Sequence, residues 1–227
     1  MKDFAGLLGA DGPFAEKLAG FIPRTQQQQL ADAVGRALQQ RSMLVAEAGT
    51  GTGKTFAYLL PALLSGRRVL ISTGTRTLQD QLFHRDLPAV RDVIGMPVKV
   101  ALLKGRSNYL CRQRLTLTLE STAGLFDSRE RVRELEHIRS WSHDTRSGEI
   151  AELGTVPESS PLWPQVTSTI DNCLGQECPE YARCWVLEAR RRAQEADVVI
   201  INHHLFLADM LLKDEGFSSL DRKSTRL

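Results

Sequence analysis

A glycine-rich segment near residue 50 has the residue types that bind a phosphate chain. It runs Ala48-Gly-Thr-Gly-Thr-Gly-Lys54-Thr55 and fits the Walker A spacing, with Ala replacing the first Gly. Glycines let the loop curl so that backbone N–H groups face phosphate oxygens at the positive end of the following helix. We expect Lys54 and Thr55 to be catalytic, through a charge on the terminal phosphates and a hydroxyl on Mg²⁺. The predicted nucleotide site also includes Ala48, Gly49, Thr50, Gly51, Thr52 and Gly53. The alternative is a glycine-rich turn that ends in Lys-Thr by chance.

Two polar residues upstream of this loop could recognise a base. Arg24 and Gln27 carry planar donor and acceptor groups, which suit the edge of adenine. Taken alone, they are equally consistent with solvated positions on a helix.

Four cysteines form a second candidate site. Cys111 stands alone, whereas Cys173, Cys178 and Cys184 follow as a close group. Four thiolates can hold an iron–sulfur cluster, and Pro179 directly after Cys178 is a step common near such ligands. Zinc also binds four cysteines, but usually through two tight pairs. Separate buried thiols are the third alternative, and the spacing alone leaves all three open.

The elements that must position these residues alternate along the chain. Residues 24–40 have helical periodicity, residues 43–46 form a short apolar run of strand length, and a helical pattern begins at Lys54. Further patterns predict strands at 69–73, 98–103 and 197–201 and a helix from Thr77 to about His84. This alternation predicts an α/β fold with a parallel sheet and helices on both faces.

The pattern changes between residues 105 and 195, where a polar helix at 129–141 precedes a segment rich in Ser, Thr, Gly and Pro. We therefore predict a mainly helical and irregular insertion. The predicted boundaries are 1–104 for the first part of the α/β domain, 105–195 for the insertion, 196–217 for the return and 218–227 for a non-native tail.

The composition is that of a globular protein, with 42% hydrophobic and 25% charged residues in 227 positions. It excludes disordered, collagen-like and coiled-coil chains. The net charge is +2, but the first hundred residues hold twelve Lys and Arg against eight Asp and Glu, a weak hint of a polyanion. Without an apolar run of spanning length or a signal core, we expect no membrane contact and a cytoplasmic protein.

Several segments together resemble the DinG/XPD-type superfamily 2 iron–sulfur helicases, most closely the bacterial YoaA-like branch. They are Arg24–Gln27, Glu47–Thr55, Ile71–Leu82, Leu103–Cys111, the other three cysteines and Val199–Phe206. The resemblance implies a RecA-like motor domain interrupted by an iron–sulfur insertion. It also implies an ATP-dependent 5′-to-3′ DNA helicase that acts on single-stranded and forked DNA, in repair or the response to replication stress.

The resemblance also implies roles for individual residues. Gln27 would contact adenine with support from Arg24, and the P-loop residues would hold ATP and Mg²⁺. A [4Fe–4S] cluster would be held by Cys111, Cys173, Cys178 and Cys184. Thr73 and Gln79 would lie near the DNA backbone.

A group of basic and stacking residues surrounds the first cysteine. A charged groove with interleaved aromatic groups suits single-stranded DNA. The alternative is a solvated face around a metal site. The group consists of Lys104, Arg106, Asn108, Tyr109, Arg112 and Arg114, of which the first five are the predicted DNA contacts.

Hydrolysis needs an acidic Mg²⁺ site after an apolar strand, and no such Asp-Glu pair follows residue 206. We therefore expect the N-terminal portion of a helicase, one that hydrolyses ATP poorly by itself. We expect a monomer that is associated with the nucleoid when active and has a replication or repair protein as a possible partner. A self-contained P-loop ATPase or kinase, and a non-catalytic metal-bearing nucleic-acid-binding module, are the alternatives.

Overall fold

The computed structural model describes residues 3–121, 129–214 and 225–226. The chain divides into two compact units. The first contains the residues up to Leu103 and those from Ala193 onward, and the second is Lys104–Arg192. None of the helices in these described ranges is both long enough and apolar enough to cross a membrane.

The first unit contains a parallel sheet, which confirms the predicted α/β class. Its strands are β1 (Val69–Thr73), β2 (Val100–Leu103), β3 (Val198–Asn202) and β4 (Thr225–Arg226), in the order β2-β3-β1-β4. β3 is central, and its residues Val198–Ile201 are buried, as expected for a strand covered on both faces. The predicted strands at 69–73, 98–103 and 197–201 are therefore present, with bounds that differ by up to two residues.

Helices flank this sheet. They are α1 (Phe4–Leu7), α2 (Pro13–Lys17), α3 (Thr25–Gln40), α4 (Lys54–Leu64), α5 (Arg76–Gln81), α6 (Leu87–Ile94) and α11 (His203–Asp214). A π-helical turn at Leu82–Asp86 joins α5 to α6, so the helical segment runs well beyond the predicted end near His84. α4 contributes most of its residues to the core, where Leu59 and Leu60 are fully buried.

The prediction of a strand at residues 43–46 is wrong. The segment has no regular structure, and Met43 and Val45 are 92% and 91% exposed. An apolar run becomes a strand only when a neighbouring strand pairs with its backbone groups. Within the described residues the sheet pairs β1 with β3 and β4, and it offers residues 43–46 no partner.

The second unit is mainly helical and irregular. Its helices are α7 (Arg112–Ser121), α8 (Arg129–Asp144), α9 (Trp163–Val166) and α10 (Trp185–Glu195), the last of which continues past the unit boundary. Leu110, Leu135, Ile138 and Val166 lie in a separate hydrophobic core. The predicted tail at 218–227 lies outside the described residues, apart from the backbone of β4.

Candidate functional site

The P-loop has the backbone conformation that its glycines predict. Gly51 and Gly53 both have φ of +77°, a region that other residues seldom adopt. Gly53 is the N-cap of α4, and no side chain caps this helix end. The first N–H groups of α4 therefore have no partner within the helix, which is the arrangement that favours a phosphate group.

Lys54 lies over this loop. Its ammonium donates to the carbonyl oxygens of Ala48 and Gly49 at 2.8 and 2.7 Å, while the hydroxyl of Thr52 donates to the same Gly49 carbonyl at 2.9 Å. The charge that would meet a phosphate chain is thus held at the mouth of the loop by main-chain oxygens. A bound phosphate would compete with these carbonyls for the ammonium.

Gln27 joins the P-loop although it belongs to α3. It is 2% exposed, and its Nε2 donates to the carbonyl of Gly53 at 2.9 Å. Its Oε1 is buried and has no hydrogen-bond partner among the residues described. Arg24, the N-cap of α3, is exposed. Of the two residues expected to recognise adenine, Gln27 therefore contacts the loop and also carries a free acceptor.

A cavity of about 1320 Å³ in the first unit opens beside Lys54 and Thr55. The carboxyl end of β1 and His203 also line it. The Ser72 hydroxyl and Nδ1 of His203 lie 2.7 Å apart, a pair that no sequence pattern indicated. Burial raises the pKa of Tyr58, another lining residue, to about 12, although a hydrogen bond with Thr55 opposes the shift.

The two residues expected near the DNA backbone in the first unit are buried. Thr73 donates through its hydroxyl to the carbonyl of Thr75, and Gln79 donates through Nε2 to the carbonyl of Leu103. These side chains support the ends of β1 and β2. A DNA contact by either of them stays a prediction.

Most of the predicted DNA contacts around Cys111 are buried as well. Lys104 is 5% exposed and forms an ion pair with Glu149, a residue that sequence reasoning did not select. Asn108 donates to the carbonyl of Gly105, and the hydroxyl of Tyr109 accepts from the N–H of Lys104. These three side chains, which the sequence analysis assigned to DNA, thus make contacts within the second unit. Their role in DNA binding also stays a prediction.

All four cysteines line one cavity of about 320 Å³ in the second unit. Cys111 stands at the start of α7, where its N–H donates to the carbonyl of Val166. Two 3₁₀ turns, Gly175–Glu177 and Tyr181–Arg183, lead into Cys178 and Cys184. No disulfide joins these four thiols. The second unit therefore brings the remote cysteine and the close group to a common space.

The electrostatics of this cavity are uneven. Burial raises the pKa of the Cys111 thiol, and the charges of Cys178 and Cys184 raise it further. Around the thiols stand nitrogen donors: Arg106 Nη1 lies 3.0 Å from Cys173 Sγ, and the Arg112 guanidinium stacks 4.8 Å from the centre of the Trp185 ring. In the described part of the chain, Arg112 Nε and Trp185 Nε1 are buried without a hydrogen-bond partner.

The cysteines do not stand at the separation that one metal ion requires. Within the described residues, no group of three or more His, Cys, Asp or Glu side chains is placed to hold a single ion.

Comparison with known proteins identifies the family. A model of the DEAD/DEAH box helicase family matches residues 24–141. The chain is 48% identical to ATP-dependent DNA helicase YoaA of Haemophilus influenzae over 96% of this chain and 34% of that protein. It is 51% identical to YoaA of Escherichia coli over 92% of this chain and 33% of that protein, and 37% identical to ATP-dependent helicase DinG of Mycobacterium tuberculosis over 89% and 35%. The chain thus spans about a third of the length of these relatives. Since the family model covers half of its residues, this chain belongs to the DEAD/DEAH box helicases.

Proposed function

We propose that this chain is the nucleotide-binding part of an ATP-dependent DNA helicase, which moves 5′ to 3′ on single-stranded DNA and unwinds forked duplexes during DNA repair. The P-loop carries the proposal. Lys54 and the uncapped start of α4 lie beside Gln27, in a chain of a helicase family. This neighbourhood suits a nucleotide with its phosphates on the loop and its base near α3.

In this proposal each P-loop residue has one task. The N–H groups after Gly51 and Gly53 bind phosphate oxygens, and Lys54 leaves its carbonyl partners to neutralise the terminal phosphates. The Thr55 hydroxyl binds Mg²⁺. Gln27 recognises adenine through its free Oε1, with Arg24 beside the base. The energy of ATP binding is thereby coupled to the contact between α3 and the loop.

For DNA, we assign direct contact to Arg106 and Arg112, which are only half-buried. A guanidinium group can bind a phosphate and also stack on a base. The buried members of the predicted set in the same unit support that surface from within, and they are Lys104, Asn108 and Tyr109. In the first unit, Thr73 and Gln79 would lie near the DNA backbone.

We further propose that the cysteine cavity holds a [4Fe–4S] cluster. Its volume of about 320 Å³ is roughly ten times the share of one water molecule in the liquid, so it suits a body of several atoms better than a single ion. The unpaired donors of Arg112 and Trp185 suit an anionic guest with sulfur acceptors. Cys111, Cys173, Cys178 and Cys184 would be the ligands. The cluster would supply cross-links between distant parts of the unit and a one-electron centre.

Metal analysis tests the cluster. Protein purified without oxygen should contain about four irons per chain and should absorb visible light broadly near about 400 nm. One zinc per chain without iron would contradict the cluster and show that the cysteines form a zinc site. Protein without either metal would leave the cysteines as buried thiols.

Unwinding assays on the full-length helicase test the main proposal. Lys54→Ala should lower ATP hydrolysis and unwinding by at least about 100-fold, because one preorganised charge on the phosphates is lost, while DNA binding persists. Lys99→Ala is the control, since this lysine belongs to the same unit but lies outside the loop. Substrates with a 5′ or a 3′ single-stranded tail determine the direction of movement.

Other results would select the remaining functions. ATP hydrolysis that DNA does not stimulate would favour a self-contained P-loop ATPase. DNA binding without any hydrolysis by the full-length protein would favour a non-catalytic module.

A further inference from the structure

Arg106 contacts a cysteine that lies far from it in the chain. Its Nη1 is 3.0 Å from the Sγ of Cys173, and both residues line the cysteine cavity. The geometry is that of a hydrogen bond from a cationic donor to sulfur. A charge-assisted bond of this type is stronger than one between neutral groups.

The backbone around Arg106 is held in place by local hydrogen bonds. Arg106 begins a 3₁₀ turn that ends at Asn108. The N–H of Asn108 and its Nδ2 both donate to the carbonyl of Gly105, and the N–H of Tyr109 donates to the carbonyl of Arg106. The turn therefore presents the guanidinium to Cys173 from a fixed base. Less conformational entropy is lost when the contact forms, because the backbone is already ordered.

Four arginines line this cavity, Arg106, Arg112, Arg114 and Arg190, and the guanidinium groups of the first three make different contacts. Arg112 stacks on Trp185, and Arg114 donates through Nε to the carbonyl of Gln165 at 3.0 Å. Of these three guanidinium groups, that of Arg106 is the one that donates to a cysteine sulfur. The three residues carry the same charge in the same cavity, so they allow the effect of the sulfur contact to be separated from the effect of charge.

We propose that Arg106 is a positioning residue that holds Cys173 towards the cavity and sets the reduction potential of the cluster bound there. This inference rests on the proposed cluster. Hydrogen bonds to ligand sulfurs are among the factors that determine the potential of an iron–sulfur centre. A donor and positive charge on Cys173 stabilise the reduced state, which carries one more negative charge. Arg106 therefore raises the potential, and it slows the loss of iron by keeping one ligand in place.

Redox titration of the cluster-loaded full-length protein tests the inference. Arg106→Gln should shift the reduction potential to a more negative value and speed the release of iron to a chelator by about tenfold. Arg106→Lys, which keeps a charged donor, should restore part of both effects. Arg114→Gln removes the same charge from the same cavity without touching a cysteine, so its shift should be much smaller.

Two results would overturn the inference. One is a potential for Arg106→Gln equal to that of the wild-type protein, and the other is an equal shift for Arg106→Gln and Arg114→Gln. If Arg106→Gln does not fold, as judged by circular dichroism, Arg106→Met is measured in its place, because this variant also lacks the charged donor and an unchanged potential and iron-release rate in it contradict the proposal. A wild-type protein without iron would instead refute the cluster itself.

Discussion

The side-chain amide of Gln27 donates to the carbonyl oxygen of Gly53 at 2.9 Å, which ties α3 to the P-loop. Gln27 also packs closely against the α-carbon of Gly53, since a Cβ at position 53 would lie 2.1 Å from Gln27 Nε2. Gly53 is thus required by its φ of +77° and by its neighbour at the same time. In the proposed nucleotide site, this single bond would link recognition of the base to recognition of the phosphates.

Replacement of Gln27 by Ala should weaken ATP binding about tenfold. The change removes the donor to Gly53 and the free acceptor, and it leaves the Gly53 carbonyl with the N–H of Ala57 as its recorded partner. Titration of the chain with a fluorescent ATP analogue measures the effect. Gln28→Ala is the matched control, because Gln28 donates through the same group to the carbonyl of Leu8, the residue that follows α1, and not to the loop. Equal affinities for the two variants would contradict a role of Gln27 in the nucleotide site.

Replacement of Lys104 by Met should destabilise the second unit by about 3–5 kcal/mol, because it leaves the Glu149 carboxylate in a mostly buried position without its partner. All three tryptophans lie in this unit, so urea unfolding followed by tryptophan fluorescence reports on it.

The double variant Lys104→Met with Glu149→Leu separates stability from DNA binding. It should recover most of the lost stability, since an apolar pair replaces the ion pair. If Lys104 supports the DNA surface only through its ion pair, the double variant binds single-stranded DNA like the wild type. Recovered stability with weak DNA binding would show instead that Lys104 contacts DNA itself.

Gly148→Ala should destabilise the second unit by about 2–4 kcal/mol. Gly148 has φ of +67°, and a Cβ there would lie 2.2 Å from the Trp185 ring, so backbone strain adds to a steric clash. Gly154→Ala is the control, since a Cβ at that position meets nothing within 4 Å; its effect should stay within about 0.5 kcal/mol. Because Trp185 stacks on Arg112, the same change should also alter tryptophan fluorescence of the folded protein.

Cys173→Ser should remove most of the iron from protein purified without oxygen, and it should lower the urea midpoint reported by tryptophan, because metal binding and local folding are coupled. Gln176→Ala provides the comparison, since Gln176 lines the same cavity but lacks a thiol. Iron content is measured by mass spectrometry. An iron content equal to that of the wild type would exclude Cys173 as a ligand.

The parts of the fold that sequence patterns predicted are those that local residues decide. α3 and α4 follow from helical periodicity, and β3 follows from a continuous apolar run. The segment at 43–46 has an equally apolar pattern but remains exposed, because a strand also needs a partner that may come from anywhere in the chain. Burial of Lys104 was missed for the same reason, since its partner Glu149 lies 45 positions away in sequence.

The sequence by itself determined the P-loop and its chemistry, because the glycines, Lys54 and Thr55 are contiguous and their backbone preferences act locally. It also supplied the four thiols and the basic residues near Cys111. Only the tertiary structure decided that the thiols line one cavity, that the guanidinium of Arg106 rather than that of Arg114 contacts a sulfur, and that Lys104 forms an ion pair with Glu149. Contacts of that kind depend on how segments far apart in the chain pack together, and the spacing of residues along the sequence does not specify this packing.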